Sequence, residues 1–81
     1  MMNVTYEIIS REILTLDSNV QMTYGIVAYA IADESNTAVV VASVYDITTD
    51  KQALANLVFI CNQLKLSTIH LHDVIEDFLA S

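Results

Sequence analysis

VQMTYGIVAYAIA (residues 20–32), DESN (33–36) and TAVVVASVYDI (37–47) follow one another through the middle of the chain, and their reading decides the fold. The two long runs are rich in Val, Ile, Tyr and Thr, residues that suit a pleated surface, and the four polar residues between them are typical of a hairpin loop. Working outward, Asp17-Ser18-Asn19 separates the first of these runs from an earlier one of the same character, about Val4–Leu16. Runs joined by loops this short pair as consecutive antiparallel hairpins. The expectation is a three-stranded antiparallel meander.

Beyond Asp46 the pattern changes to a helical one. Thr48-Thr49-Asp50 supplies N-cap candidates, and Thr49 with Gln52 fits a capping box. Over Asp50–Lys65, a rotation of about 100° per residue places Ala53, Leu54, Leu57, Val58, Ile60, Cys61 and Leu64 in one apolar arc. Ser67 is a second N-cap candidate, with Leu66 able to pack on Leu71 as a hydrophobic staple. The second helix then runs to about Leu79 and buries Leu71, Val74, Ile75, Phe78 and Leu79, one or two residues after the first. The fold class is therefore α+β, in the order βββαα, with an α-helical hairpin packed on one face of the sheet.

The strands alternate poorly between apolar and polar residues, which matters because a half-buried strand should alternate well. In the second run Met22, Tyr24, Ile26, Ala28 and Ala30 point one way and Val27, Tyr29 and Ile31 the other. In the third, Val39, Val41, Tyr45 and Ile47 oppose Val40, Ala42 and Val44. Two helices cover one face only, so the second apolar face needs a partner. A homodimer through that face is the expectation, since a two-fold contact needs only one self-complementary patch. Val27, Tyr29, Ile31, Val40 and Val44 are its candidate residues.

Composition points the same way. At 81 residues the chain is read as a single domain covering residues 1–81, yet 54% of it is hydrophobic, above the usual share of about 45–50%. A chain of this size hides only about 60–65% of its unfolded surface on folding, so apolar area is left over for an interface. Ten acidic residues stand against Arg11, Lys51 and Lys65, for a net charge of −7, which disfavours nucleic acid and anionic membrane as partners. Glu7, Arg11 and Glu12 interrupt the N-terminal run, so it is not read as a signal peptide, and Val20–Ala32 is too short to span a bilayer. With Cys61 as the only cysteine, no intrachain disulfide is available, and a cytoplasmic location is expected.

No catalytic constellation emerges, and no cofactor is expected. Gly25 alone makes no phosphate loop; inside a strand it marks a bulge or a close backbone approach. Cys61 with His70 or His72 is the only thiol and imidazole combination, and Cys61 lies mid-arc, where a thiol acts as a small buried hydrophobe. The polar-dense segment His70-Leu71-His72-Asp73-Val74-Ile75-Glu76-Asp77 offers two clusters on one helix, His70 with Asp73 and Asp77, and His72 with Glu76. The first is a weak metal candidate, because a tight site takes about four to six ligands. The ordinary reading is a solvated face with His–carboxylate pairs. His72 and Glu76 are also interaction candidates, as is Phe59, which projects among Gln52, Asn56 and Gln63 on the polar side of the first helix.

Tyr24-Gly25-Ile26, Asp46-Ile47-Thr48 with Asp50, Cys61-Asn62, and above all the C-terminal LSxxHLxDVIEDFL pattern over residues 66–79 resemble a family of short uncharacterised Firmicutes proteins, a domain of unknown function. The resemblance implies a bacterial cytoplasmic protein and a small stand-alone domain, and it carries no activity. The leading functional expectation is a non-enzymatic, homo-oligomeric interaction or regulatory module with a possible protein partner. The alternative is a small-ligand or metal-binding protein using the acidic and histidine face of the C-terminal helix.

Overall fold

The computed structural model describes residues 3–31 and 36–80. Strands β1 (Asn3–Leu14), β2 (Val20–Ile31) and β3 (Ala38–Thr48) form one antiparallel sheet in the order β1-β2-β3, followed by helices α1 (Lys51–Gln63) and α2 (Leu71–Ala80). This is the expected α+β arrangement. The first hairpin turns at Thr15–Asn19, where the Thr15 amide donates to the Asn19 carbonyl (2.8 Å) and Ser18 adopts a left-handed φ of 64°. Of the second expected loop, Asp33-Glu34-Ser35 lies outside the described residues.

β1 and β2 pair without interruption from Asn3↔Ile31 to Leu14↔Val20. β2 and β3 do not, and the breaks shape the surface. Ala28 pairs with Ala42, but Tyr29 pairs with Val40, so Val41 is an extra residue with no partner on β2. A second break lies between Tyr24↔Thr48 and Ile26↔Val44, where Tyr45, Asp46 and Ile47 bulge opposite Gly25, and Asp46 takes a left-handed φ of 55°. There the backbones approach so closely that a Cβ on Gly25 would stand 2.2 Å from the Val44 carbonyl oxygen and 2.9 Å from the Tyr45 Cα. Glycine is required here for space rather than for its φ.

An extra residue reverses the facing of everything beyond it in a strand with a period of two. This corrects the expectation that Val40, Ala42 and Val44 share a face. Ala42 and Val44, opposite Ala28 and Ile26, pack against the helix-side core, while Val40 stands on the other side beside Tyr29. Val44 is therefore half-buried against the core on the helix side and not on the open face with the other interface candidates.

The core lies between the sheet and the helices: Tyr6, Ile26 and Ala28 from the strands, Leu54, Val58 and Cys61 from α1, and Leu71 and Ile75 from α2. Leu54, Val58 and Cys61 follow the i, i+4, i+7 spacing of a helical stripe. The stripe is narrower than the arc read from sequence, because Ile60, Leu64 and, on α2, Leu79 are exposed. Asp50, not Thr49, caps α1, its carboxylate accepting from the Ala53 amide at 3.1 Å. The carboxylate also suits the positive end of the helix dipole, an advantage threonine lacks.

α1 ends in a Schellman motif. The Lys65 amide donates to the Asn62 carbonyl (3.2 Å) and the Leu66 amide to the Cys61 carbonyl (3.0 Å), with Lys65 at a left-handed φ of 50°. The connection that follows is longer than the one or two residues expected, and Ser67 caps a 3-10 turn, Thr68–His70, before α2 begins. Asn62 ties α1 to the sheet edge: its carboxamide oxygen accepts from the Tyr6 amide (2.8 Å) and its nitrogen donates to the Tyr6 carbonyl (2.9 Å). The Tyr6 hydroxyl in turn donates to the Leu66 carbonyl at 2.7 Å.

Candidate interaction surface

The helices pack on one side of the sheet and leave the other open. Its residues follow from the register: Thr5, Glu7, Ile9, Arg11 and Ile13 from β1, Thr23, Val27, Tyr29 and Ile31 from β2, and Ala38, Val40, Ser43 and Tyr45 from β3. Thr5, Glu7, Tyr29, Ile31 and Ala38 line an open depression of about 290 Å³ at one end. Val27, at the centre of the middle strand, is only 5% exposed, so it is the floor of this surface and not a contact. Ile31, Val40 (53% exposed) and Tyr45 (59%) present their apolar atoms to solvent, and Tyr29 is half-buried beside them.

At the other end the surface carries a single charged pair. Arg11 Nε donates to Asp46 Oδ1 at 2.9 Å, its Nη2 donates to Asp46 Oδ2, and the buried Thr23 hydroxyl also donates to Asp46 Oδ1. The guanidinium carbon sits 5.6 Å from the centre of the Tyr45 ring. The left-handed turn at Asp46 is what swings its carboxylate back over β1 and β2 to meet them. Hydrogen bonds from Arg11 and then Thr23 hold the Asp46 carboxyl below its usual value, and the same contact raises Arg11. Glu7 is the one acidic side chain of this surface outside the pair.

The other sequence-derived candidates lie elsewhere. Phe59 is exposed on α1, and His72, Glu76, Asp73 and Asp77 are exposed on α2, all on the helical side of the molecule. The structure does not bring them to the open face. His70 closes the 3-10 turn ahead of α2, so the change of winding at Leu71 separates it from the helical spacing that was to group it with Asp73 and Asp77. Among the described residues no three His, Cys, Asp or Glu side chains come together in a way that would hold a metal ion. Cys61 is buried in the core, where desolvation pushes its thiol pKa up and keeps it protonated. Among the described residues no helix is long and apolar enough to cross a membrane.

Sequence reasoning missed the Arg11–Thr23–Asp46 contact and the Asn62 bridge. A charge at Asp46 closing an otherwise uncharged valine-rich strand was the available sign of the first. For the second there was none, since an asparagine near a helix end is ordinary.

Residues 1–81 match the model of a family of unknown function, DUF6514, and the chain belongs to that family. No curated protein and no solved structure matches the chain.

Proposed function

We propose that this domain is a non-enzymatic interaction module that works as a homo-oligomer, with the open sheet face covered by a second copy of the chain. The observation that carries this reading is the apolar surface left on the sheet opposite the helices, with Ile31, Val40 and Tyr45 exposed around a floor of Val27. Two further points favour a second copy as the occupant. Strands of twelve residues at about 3.3 Å each, three abreast at about 4.8 Å, give a face of about 40 by 14 Å. That is on the order of 560 Å² in projection, before side-chain relief, against about 800 Å² per partner in a standard interface. Among the described residues the face carries two carboxylates, Glu7 and Asp46, and one arginine, Arg11. Asp46 is paired with Arg11, so two chains of net charge −7 meet there with Glu7 as the one unpaired acid each brings among the described residues.

The test is sedimentation at micromolar concentration. The expected mass is a multiple of the 9.0 kDa chain, and it should fall when Tyr29 is replaced by glutamate. A wild-type protein sedimenting only as a 9.0 kDa monomer would sink the reading.

A further inference from the structure

The two edges of the sheet differ in how they are guarded. Edge strands expose unpaired N–H and C=O groups that template pairing with another strand, and proteins blunt them with charge, proline or a covering element. β1 is guarded twice: Asn62 occupies the backbone amide and carbonyl of Tyr6, and the strand carries Glu7, Arg11 and Glu12. β3 has neither guard. From Asn36 to Tyr45 it contains no charged residue and no proline.

β3 is also bare on both faces over its first half. Helix α1 packs mainly across β1 and β2. Val39, on the helix side opposite Ala30, is 52% exposed, and Val40, on the open side opposite Tyr29, is equally exposed. Val41, the bulge residue between Val40 and Ala42, is exposed as well. Three consecutive β-branched residues are thus uncovered above, below and, among the described residues, along the outer edge, which a flanking strand would cover at once.

We propose that β3 pairs edge to edge, antiparallel, with β3 of a second copy, joining two sheets into one of six strands. The uncharged run suits a second copy, since two chains of net charge −7 can pair along it without setting charges side by side, and a two-fold contact between identical edge strands is antiparallel. An antiparallel two-fold near Val41 sets the two Asp46 residues five positions out on opposite sides, about 33 Å apart. That is several Debye lengths of about 8–10 Å, so the two Arg11–Asp46 pairs stand clear of the contact. The edge contact is a surface distinct from the open face and does not depend on it. With both engaged, the assembly is a dimer of dimers.

Mass measurement by sedimentation equilibrium separates the two contacts, with circular dichroism confirming that each variant is folded. Val39→Glu probes the edge alone, since Val39 faces away from the open surface, and Val41→Pro removes a backbone donor at a residue without a partner on β2. Tyr29→Glu, on the central strand, probes the open face alone. Wild type is expected at about four chain masses, falling twofold in each single variant and fourfold in Val39→Glu/Tyr29→Glu. A lower mass with Val39→Glu but not with Tyr29→Glu supports the edge and removes the face contact. Val39→Glu at the wild-type mass, in a folded protein, overturns the edge proposal whatever Tyr29→Glu does, and so does a wild type that is monomeric. Should Val41→Pro fail to fold, Val39→Glu decides by itself.

Discussion

Replacing Asn62 by alanine removes the only side chain that satisfies the outward backbone of Tyr6. Two hydrogen bonds of ordinary length are lost, at 2.8 and 2.9 Å. Each such bond contributes a net ~0.5–1.5 kcal/mol, and a buried group left without a partner costs about 1–3 kcal/mol. Tyr6 is buried with Asn62 in place, but Asn62 is itself exposed at the sheet edge, so water reaches the freed groups and the unpaired-group cost is not added in full. The expected loss is that of the two bonds, about 1–3 kcal/mol. Domains of this size hold roughly 0.05–0.15 kcal/mol per residue, or about 4–12 kcal/mol in all, so the change removes a large part of the total. In a domain of 60–100 residues about 4–8 °C accompanies each kcal/mol, which puts the drop in Tm at roughly 5–25 °C. The assay is urea unfolding followed by circular dichroism at one fixed protein concentration, because association would add its own stability. Gln63→Ala, one residue along and exposed, serves as the control. A loss below about 0.5 kcal/mol for Asn62→Ala, the range of an ordinary surface substitution, would refute the role given to the bridge.

Three further outcomes are expected. Gly25→Ala forces β3 away from β2, since its Cβ would meet the Val44 carbonyl at 2.2 Å, and a loss of about 1–3 kcal/mol in urea unfolding follows from overpacking; an unchanged midpoint would contradict the close approach. Lys65→Gly relieves a left-handed residue in the Schellman turn and should stabilise the protein by about 0.5–1 kcal/mol, read as a higher Tm, while a lower Tm would count against that geometry. The third concerns acid. Because the Asp46 carboxyl is lowered in the folded protein from its usual value of 3.8, its stabilisation is fully present above that value and is lost as the pH falls through the lowered folded one. The stability difference between wild type and Asp46→Asn should therefore be largest near neutral pH and shrink below about pH 4; a difference that is constant from pH 7 to pH 2 would refute the coupling.

The divide between what was legible in the sequence and what was not follows the distance over which each feature is decided. The three strands and two helices were legible because their causes are local: β-branched runs broken by polar clusters, an apolar stripe at helical spacing, and capping residues at Asp50 and Ser67. Gly25 was legible as a bulge or close approach because a lone glycine in a strand has few other uses. The facing of β3 was not. Counting alternate residues put Val40 and Val44 together, and only the pairing with β2 revealed that Val41 is extra and that the two valines stand on opposite sides. The 3-10 turn over Thr68–His70 ahead of Leu71 was not legible either, since the cap at Ser67 fits an α-helical and a 3-10 start alike.

By itself, then, the sequence determined the class and order of the elements, the acidity of the chain, and the surplus of apolar surface. Tertiary structure alone decided where that surplus lies. α1 is anchored to β1 through Asn62 and Tyr6, 56 positions apart, and Asp46 reaches Arg11 across 35. Contacts over such separations depend on where the chain has already been brought by its pairing and its core, and no local pattern encodes them. Their result is a helical layer held mainly over β1 and β2, with Val39, Val40 and Val41 of β3 and the open face of the sheet left uncovered.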